Sequence, residues 1–239
     1  MVSIMDKLKE ISLIEDVEQA LIILTKHFSN EIIFSTSFGM EDQVITHIIA
    51  TNNLPIKIFT LDTGRLFNET YLTWSKTMQQ YKLKIEAFYP NENQLSLFVT
   101  NNGINSFYDS IENRKTCCYI RKVEPLKRAL NGHKIWLTGI RASQSSDRKL
   151  VDKVELDEVH NVYKFHPLFN WDFYAVESYI STHNIPVNPL HYTGFVSIGC
   201  APCTRAIKLG EDFRAGRWWW EDNEKKECGL HYLNKKNDK

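Results

Sequence analysis

The chain has 239 residues, 43% of them apolar and 24% charged, which suits one globular α/β domain with room for a real core. Lysine plus arginine equals aspartate plus glutamate at 29 each. That balance argues against a nucleic-acid coat or a membrane-surface protein, and leaves room for a local basic pocket. No apolar run approaches the ~20 residues of a membrane span. The stretch from Met1 to Leu24 mixes acids with apolar residues and has no cleavage-site pattern, so it does not read as a secretion signal and a cytoplasmic location is expected.

Residues 1 to 30 read as helix, with Val17, Leu21, Leu24 and Phe28 on one face. Ile32, Ile33 and Phe34 then form a short apolar run with the look of a buried strand. Ser35-Thr36-Ser37-Phe38-Gly39 follows, ahead of a helical spacing at Val44, Ile45, Ile48 and Ile49. A hydroxyl-rich turn between strand and helix either caps the helix or offers unpaired N–H donors to an anion. Ser35, Ser37 and Gly39 are therefore candidate ligand contacts, although no Gly-Lys-Ser ending of a Walker loop is present. Lys57 to Leu61 reads as a second strand, ending in the polar turn Asp62-Thr63-Gly64-Arg65. A helix is expected from Asn68 to Tyr81, a third strand from Ile85 to Tyr89, and a helical segment opening at Asn91.

Arg114 to Cys118 precedes an expected helix from Tyr119 to Leu130. Ile135 to Thr138 reads as a strand and 142–149 as a mobile loop. Leu150 to Leu156 and Asn161 to Phe165 read as a strand pair at the sheet's edge, and Asp172 to His183 as a helix stopped by Pro186 and Pro189. Strands alternating with helices predict an α/β fold: one mainly parallel sheet with helices on both faces, in a single domain over 1–239. Ligands of such sheets sit beyond the carboxyl ends of the strands where strand order reverses. Both the Ser35–Gly39 turn and the turn that opens with Asp62 lie at such ends.

Five cysteines, with no export signal, point to metal binding or reactivity rather than structural bridges. Cys117-Cys118 and Cys200-x-x-Cys203 supply four thiolates, enough for an iron–sulfur cluster or structural zinc. Adjacent cysteines are unusual for zinc, whose paired ligands stand two to four residues apart, so a [4Fe–4S] cluster ranks first, zinc second and unliganded thiols third. Cys228 stands alone between Lys225-Lys226 and His231. A basic flank lowers a thiol's pKa, which favours a nucleophile over an incidental cysteine in a frayed end.

From about Ile32 to Tyr232 the chain carries, in order, STSFGMEDQ, LDTGRLFNETY, KTCCYIRKVEPL, TGIRASQS, GCAPCTR, RAGRWWWE and ECGLH. In these motifs it resembles the assimilatory adenylyl-sulfate reductases of the phosphoadenylyl-sulfate reductase superfamily. The resemblance implies an adenine-nucleotide α-hydrolase-like fold and adenosine 5′-phosphosulfate as substrate. It also implies Cys228 as catalytic cysteine on a mobile tail of about residues 215 to 239. Cys117, Cys118, Cys200 and Cys203 match the ligands of a [4Fe–4S] cluster, and Lys122 a lysine near both cluster and substrate. Arg214 and Arg217 match arginines that grip the phosphosulfate, and Arg141 another basic residue at the pocket. Ser35, Ser37 and Gly39 match a phosphate-side loop; His231, in the same ECGLH motif, is a candidate to help hold the tail thiolate. Thioredoxin is the implied reductant; a homo-oligomer stays open. The sequence departs from the commoner pattern at Phe67-Asn68 and Ala142-Ser143. The alternatives are the same chemistry on the 3′-phosphorylated nucleotide, an adenylating enzyme of the same fold, or an iron–sulfur redox sensor. Adenylating enzymes typically carry Ser-Gly-Gly-x-Asp-Ser in the first turn, which STSFGMED is not.

Overall fold

Six strands form a single sheet in the computed structural model, which describes residues 2–144, 148 and 151–221. They are β1 (Ile32–Ser35), β2 (Lys57–Leu61), β3 (Ile85–Phe88), β4 (Ile135–Leu137), β5 (Val154–Asp157) and β6 (Val162–Phe165). Their order is β3-β2-β1-β4-β6-β5. All neighbouring pairs are parallel except β5 with β6, which are antiparallel, as the expected edge pair. The chain runs outward from β1 to β3, then returns to β4 on the other side of β1. Strand order therefore reverses between β1 and β4, and that is where a ligand crevice opens.

Alternation along the strands decides the two cores. Ile32 and Phe34 face one side of the sheet and Ile33 the other. The first side is covered by α1 (Ile4–Ser12), α2 (Val17–His27), α3 (Met40–Thr51) and α8 (Phe173–His183). The second is covered by α7 (Glu124–Leu130), through Leu126, Ala129 and Leu130. Helices thus lie on both faces, as expected. The remaining helices are α4 (Asn68–Tyr81), α5 (Glu92–Asn102) and α6 (Ile111–Cys118).

Three expectations are corrected. The N-terminal helix is two helices, because Asp16 turns out to be an N-cap, its carboxylate accepting from the Gln19 amide. The helix expected from Tyr119 to Leu130 begins earlier and takes in Cys117 and Cys118: α6 starts after the Ser110 cap and runs through a π-helical turn, Tyr119–Val123, into α7. A π turn inserts a residue and re-aims the side chains that follow, here Arg121 and Lys122. Finally, residues 215–221 of the expected tail are fixed in the body. Arg217, Trp218 and Glu221 are buried, Arg217 bridges to Thr204, and Arg114 grips the Glu221 carboxylate with two 2.8 Å bonds.

Candidate functional site

A cleft of about 240 Å³ opens at the β1/β4 reversal, with Ser35, Ser37, Gly39, Thr138 and Gly139 on its floor and Lys122, Arg214 and Arg217 among its walls. The floor is built by two turns in close apposition. Gly139 packs so tightly on α3 that a Cβ there would collide with Asp42 Oδ1. Phe38 takes a left-handed backbone (φ 61°) and stacks its ring on Trp74 at 5.5 Å. For a non-glycine residue that conformation is held only by its surroundings.

The floor's polar groups are largely committed to one another. The Ser37 amide and hydroxyl both donate to Asp42 Oδ2, at 2.6 and 2.7 Å. Ser35 Oγ accepts the Trp136 indole N–H at 2.8 Å. Burial pushes the Asp42 carboxyl up to about 6, against the two Ser37 bonds that favour its charge. The donors that the sequence offers to an anion at Ser37 are thus already taken by a carboxyl group of the same turn.

The basic wall comes from later elements. Arg217 lies against Gly199, where any Cβ would strike its guanidinium, and is stacked 4.8 Å from the Trp218 ring centroid. Arg114 and Arg214 lie 4.9 and 6.0 Å from the same ring. One buried indole therefore holds three guanidinium groups, an arrangement favoured by the ring's negative faces.

Behind that wall, Cys117, Cys118, Cys200 and Cys203 line one small void of about 20 Å³, together with Arg65, Arg114, Arg121 and Lys122. Burial and the neighbouring Cys200 and Cys118 push the Cys203 thiol up to about 12. Burial also opposes ionisation of Cys200, but Lys122, Thr63, Arg217 and Arg121 outweigh it and hold that thiol below its ordinary value. Cys200 Sγ and the Thr63 hydroxyl share a 3.3 Å hydrogen bond. Arg121 donates to the Thr63 carbonyl at 2.5 Å, while its Nε and the Trp218 Nε1 are buried with no hydrogen-bond partner among the described residues. Among those residues, no three His, Cys, Asp or Glu side chains close on a single point as ligands of one ion; the four thiols instead share a void. Lys122 lines both the cleft and the void, and Thr63 lines the cleft while bonded to Cys200, so the two form the partition between the sites.

Of the expected substrate contacts, Ser35, Ser37, Gly39, Lys122, Arg214 and Arg217 come together in the cleft. Two do not line it. Arg141 is buried and paired with Glu41 at 2.8 Å, with Ser143 Oγ at 2.6 Å, so its charge is spent tying the β4 turn to α3. Asp62 accepts from the Gly64 amide and the Tyr71 hydroxyl, both at 2.8 Å, and shapes its own turn. Part of the expected mobile loop is likewise tied down: Gln144 is buried and donates to Glu41 at 2.9 Å. Cys228 and His231 lie outside the described residues. Sequence reading missed Asp42, Thr138, Gly139, Arg121 and Gly199. The acid at Asp42 stands in plain sight after Gly39, but its partner Ser37 lies five residues back and is found only once the turn closes.

A family model for the phosphoadenosine phosphosulfate reductase domain matches residues 31–206. Proteins named adenosine 5′-phosphosulfate reductase are similar along most of the chain. That of Agrobacterium fabrum is 48% identical over 83% of this chain and 76% of its own, and that of Allochromatium vinosum 50% identical over 84% and 79%. Among solved structures, a phosphoadenylyl-sulfate reductase from Candida auris superposes with a TM-score of 0.70 at 26% identity, covering 87% of this chain and 98% of its own. An FMN adenylyltransferase from Candida glabrata, with a TM-score of 0.56 at 17% identity over 91% and 76%, shares the fold alone, that of the adenine-nucleotide α-hydrolase-like proteins. Among the described residues no helix is long and apolar enough to cross a membrane.

Proposed function

Because the chain belongs to the phosphoadenosine phosphosulfate reductase domain family, we propose that it reduces adenosine 5′-phosphosulfate to sulfite and AMP in sulfate assimilation. One observation carries this reading: a cleft at the strand-order reversal whose cationic wall of Lys122, Arg214 and Arg217 backs onto four gathered cysteines. Relatives about half identical to it bear the matching name.

The sulfuryl group of a phosphosulfate is electrophilic and AMP is a good leaving group. The Cys228 thiolate attacks sulfur, the S–O bond to AMP breaks, and the protein is left with Cys–S–SO₃⁻. One thiolate of reduced thioredoxin then attacks the Cys228 sulfur and expels sulfite. The second thioredoxin thiol closes the resulting mixed disulfide, returning Cys228 and leaving oxidised thioredoxin. The dithiol thus supplies the two electrons that take sulfur from sulfate to sulfite level. In the first step an anion approaches an anion. Arg214, Arg217 and Lys122 offset that repulsion and hold charge on the departing phosphate.

Cys117, Cys118, Cys200 and Cys203 would hold a [4Fe–4S] cluster. The void they share, the cations around it and the unpartnered Arg121 Nε and Trp218 Nε1 suit a sulfur-rich anionic group that accepts hydrogen bonds. When bound, that group would set the electrostatic environment of Lys122 and the cleft. The test is sulfite release from adenosine 5′-phosphosulfate and from its 3′-phosphorylated form, each with reduced thioredoxin, alongside a visible absorbance scan. Turnover of the first nucleotide with a cluster band supports the reading; release from neither nucleotide contradicts it.

A further inference from the structure

Thr138 lies on the cleft floor one step beyond the Phe34–Leu137 pair, so its neighbour across the β1/β4 junction is Ser35. The two hydroxyls are polarised in opposite senses. Ser35 Oγ accepts from Trp136 and keeps its own proton to donate. Thr138 Oγ1 is 2.8 Å from Nδ1 of His166, a ring with no exposed surface. Burial holds this imidazole below its ordinary pKa, hence neutral. Its other nitrogen, Nε2, makes no hydrogen bond among the described residues but lies 3.8 Å from Glu155 Oε1, an oxygen that the buried Lys164 ammonium, 3.2 Å away, keeps anionic, so a bare lone pair at Nε2 would face a carboxylate. The ring proton therefore sits on Nε2, and Nδ1 presents a lone pair. That lone pair takes the Thr138 proton, and the Ile140 amide donates to Thr138 Oγ1 at 3.4 Å, so Thr138 has no donor left and one acceptor lone pair to offer the cleft.

The surroundings agree with an acceptor here. A Cβ on the adjacent Gly139 would meet both the Asp42 carboxyl and the Glu41 side chain. Of the cleft's cations, Lys122, Arg214 and Arg217 come from other elements, and Arg148, which acts electrostatically on His166 and Asp42, is held by Gln144 Oε1. A phosphate oxygen at Thr138 would face lone pairs; a neutral O–H or N–H would be received.

We propose that Thr138 reads a neutral donor on the nucleoside half of the ligand, a sugar hydroxyl or the base amine, and that His166 is the positioning residue that fixes its polarity. This rests on the nucleotide reading given above. The test is calorimetric titration of AMP, 2′-deoxy-AMP, 3′-deoxy-AMP and the 6-deaminated analogue (purine riboside monophosphate) onto the holoprotein and its variants. One analogue should bind the wild type about tenfold more weakly than AMP, and which one identifies the donor. Thr138→Val should weaken AMP by a similar factor and lose that discrimination, while Thr138→Ser keeps it. His166→Leu should blunt the same discrimination and add nothing to Thr138→Val in the double variant. Analogues that all bind the wild type as AMP does, or a Thr138→Val that still discriminates, would overturn the assignment. An additive His166→Leu effect would remove His166 from it. Failure of AMP itself to bind would instead overturn the nucleotide reading.

Discussion

The cleft floor and the thiol nest share a wall, yet the hydroxyls of the one and the thiols of the other are held differently. On the floor, the three hydroxyls have partners within the chain: Ser37 in Asp42, Ser35 in Trp136 and Thr138 in His166. In the nest, three buried thiols and the half-buried Cys118 crowd together, Cys203 pushed up to about 12, while Arg121 Nε and Trp218 Nε1 have no hydrogen-bond partner among the described residues. Buried polar groups left without partners are costly, on the order of 1–3 kcal/mol each. The contrast teaches that the floor's hydroxyls are preorganised by the chain alone, whereas the proposed cluster would complete the nest.

The largest test of that contrast is Cys200→Ser. It should abolish the visible absorbance and lower sulfite release by more than about 100-fold, while AMP affinity, set by the floor, changes little. Equal loss of AMP binding would show that floor and nest are not separable. A smaller effect is expected from Arg217→Ala, which removes a guanidinium held between Gly199 and Trp218. Losing a charge-assisted contact to the substrate should cost roughly 10- to 100-fold in kcat/KM, with cluster absorbance retained; loss of the band would place Arg217 in the nest instead.

The smallest effect concerns the floor's one uneasy member. Asp42, raised from 3.8 to about 6 chiefly by burial, holds a proton in the folded protein that the unfolded chain has already released over that window. Its contribution to stability therefore falls as pH rises from about 4 to about 6, and is level on either side. Asp42→Asn should remove this slope. Denaturant unfolding at several pH values should show wild type losing on the order of 1–2 kcal/mol relative to the variant across the window. Parallel curves would place the Asp42 titration elsewhere.

The same contrast separates what was legible in the sequence. The strands and the bounds of α4 follow from local periodicity, while the reversal point appears only in the strand order; the nest was visible because paired cysteines announce themselves by spacing. The floor's pairings were not visible, since Arg141 and Glu41 stand 100 residues apart and Thr138 and His166 stand 28 apart. No spacing rule connects them; only the parallel sheet does. Arg141 was expected at the pocket from the family resemblance, and the structure pairs it with Glu41 instead. The break between α1 and α2 carries no Gly or Pro, so a single capping aspartate decides it. Cys117 and Cys118 were misplaced relative to their helix because the Ser110 cap lies seven residues upstream, within a polar stretch of weak periodicity.

The most direct measurement follows sulfur itself. Incubated without reductant with adenosine 5′-phosphosulfate carrying radiolabelled sulfur, the wild-type protein should retain about one label per chain on Cys228, released as sulfite when reduced thioredoxin is added. The Cys228→Ser protein should retain none and release no sulfite. Label or sulfite turnover persisting in that variant would contradict the account.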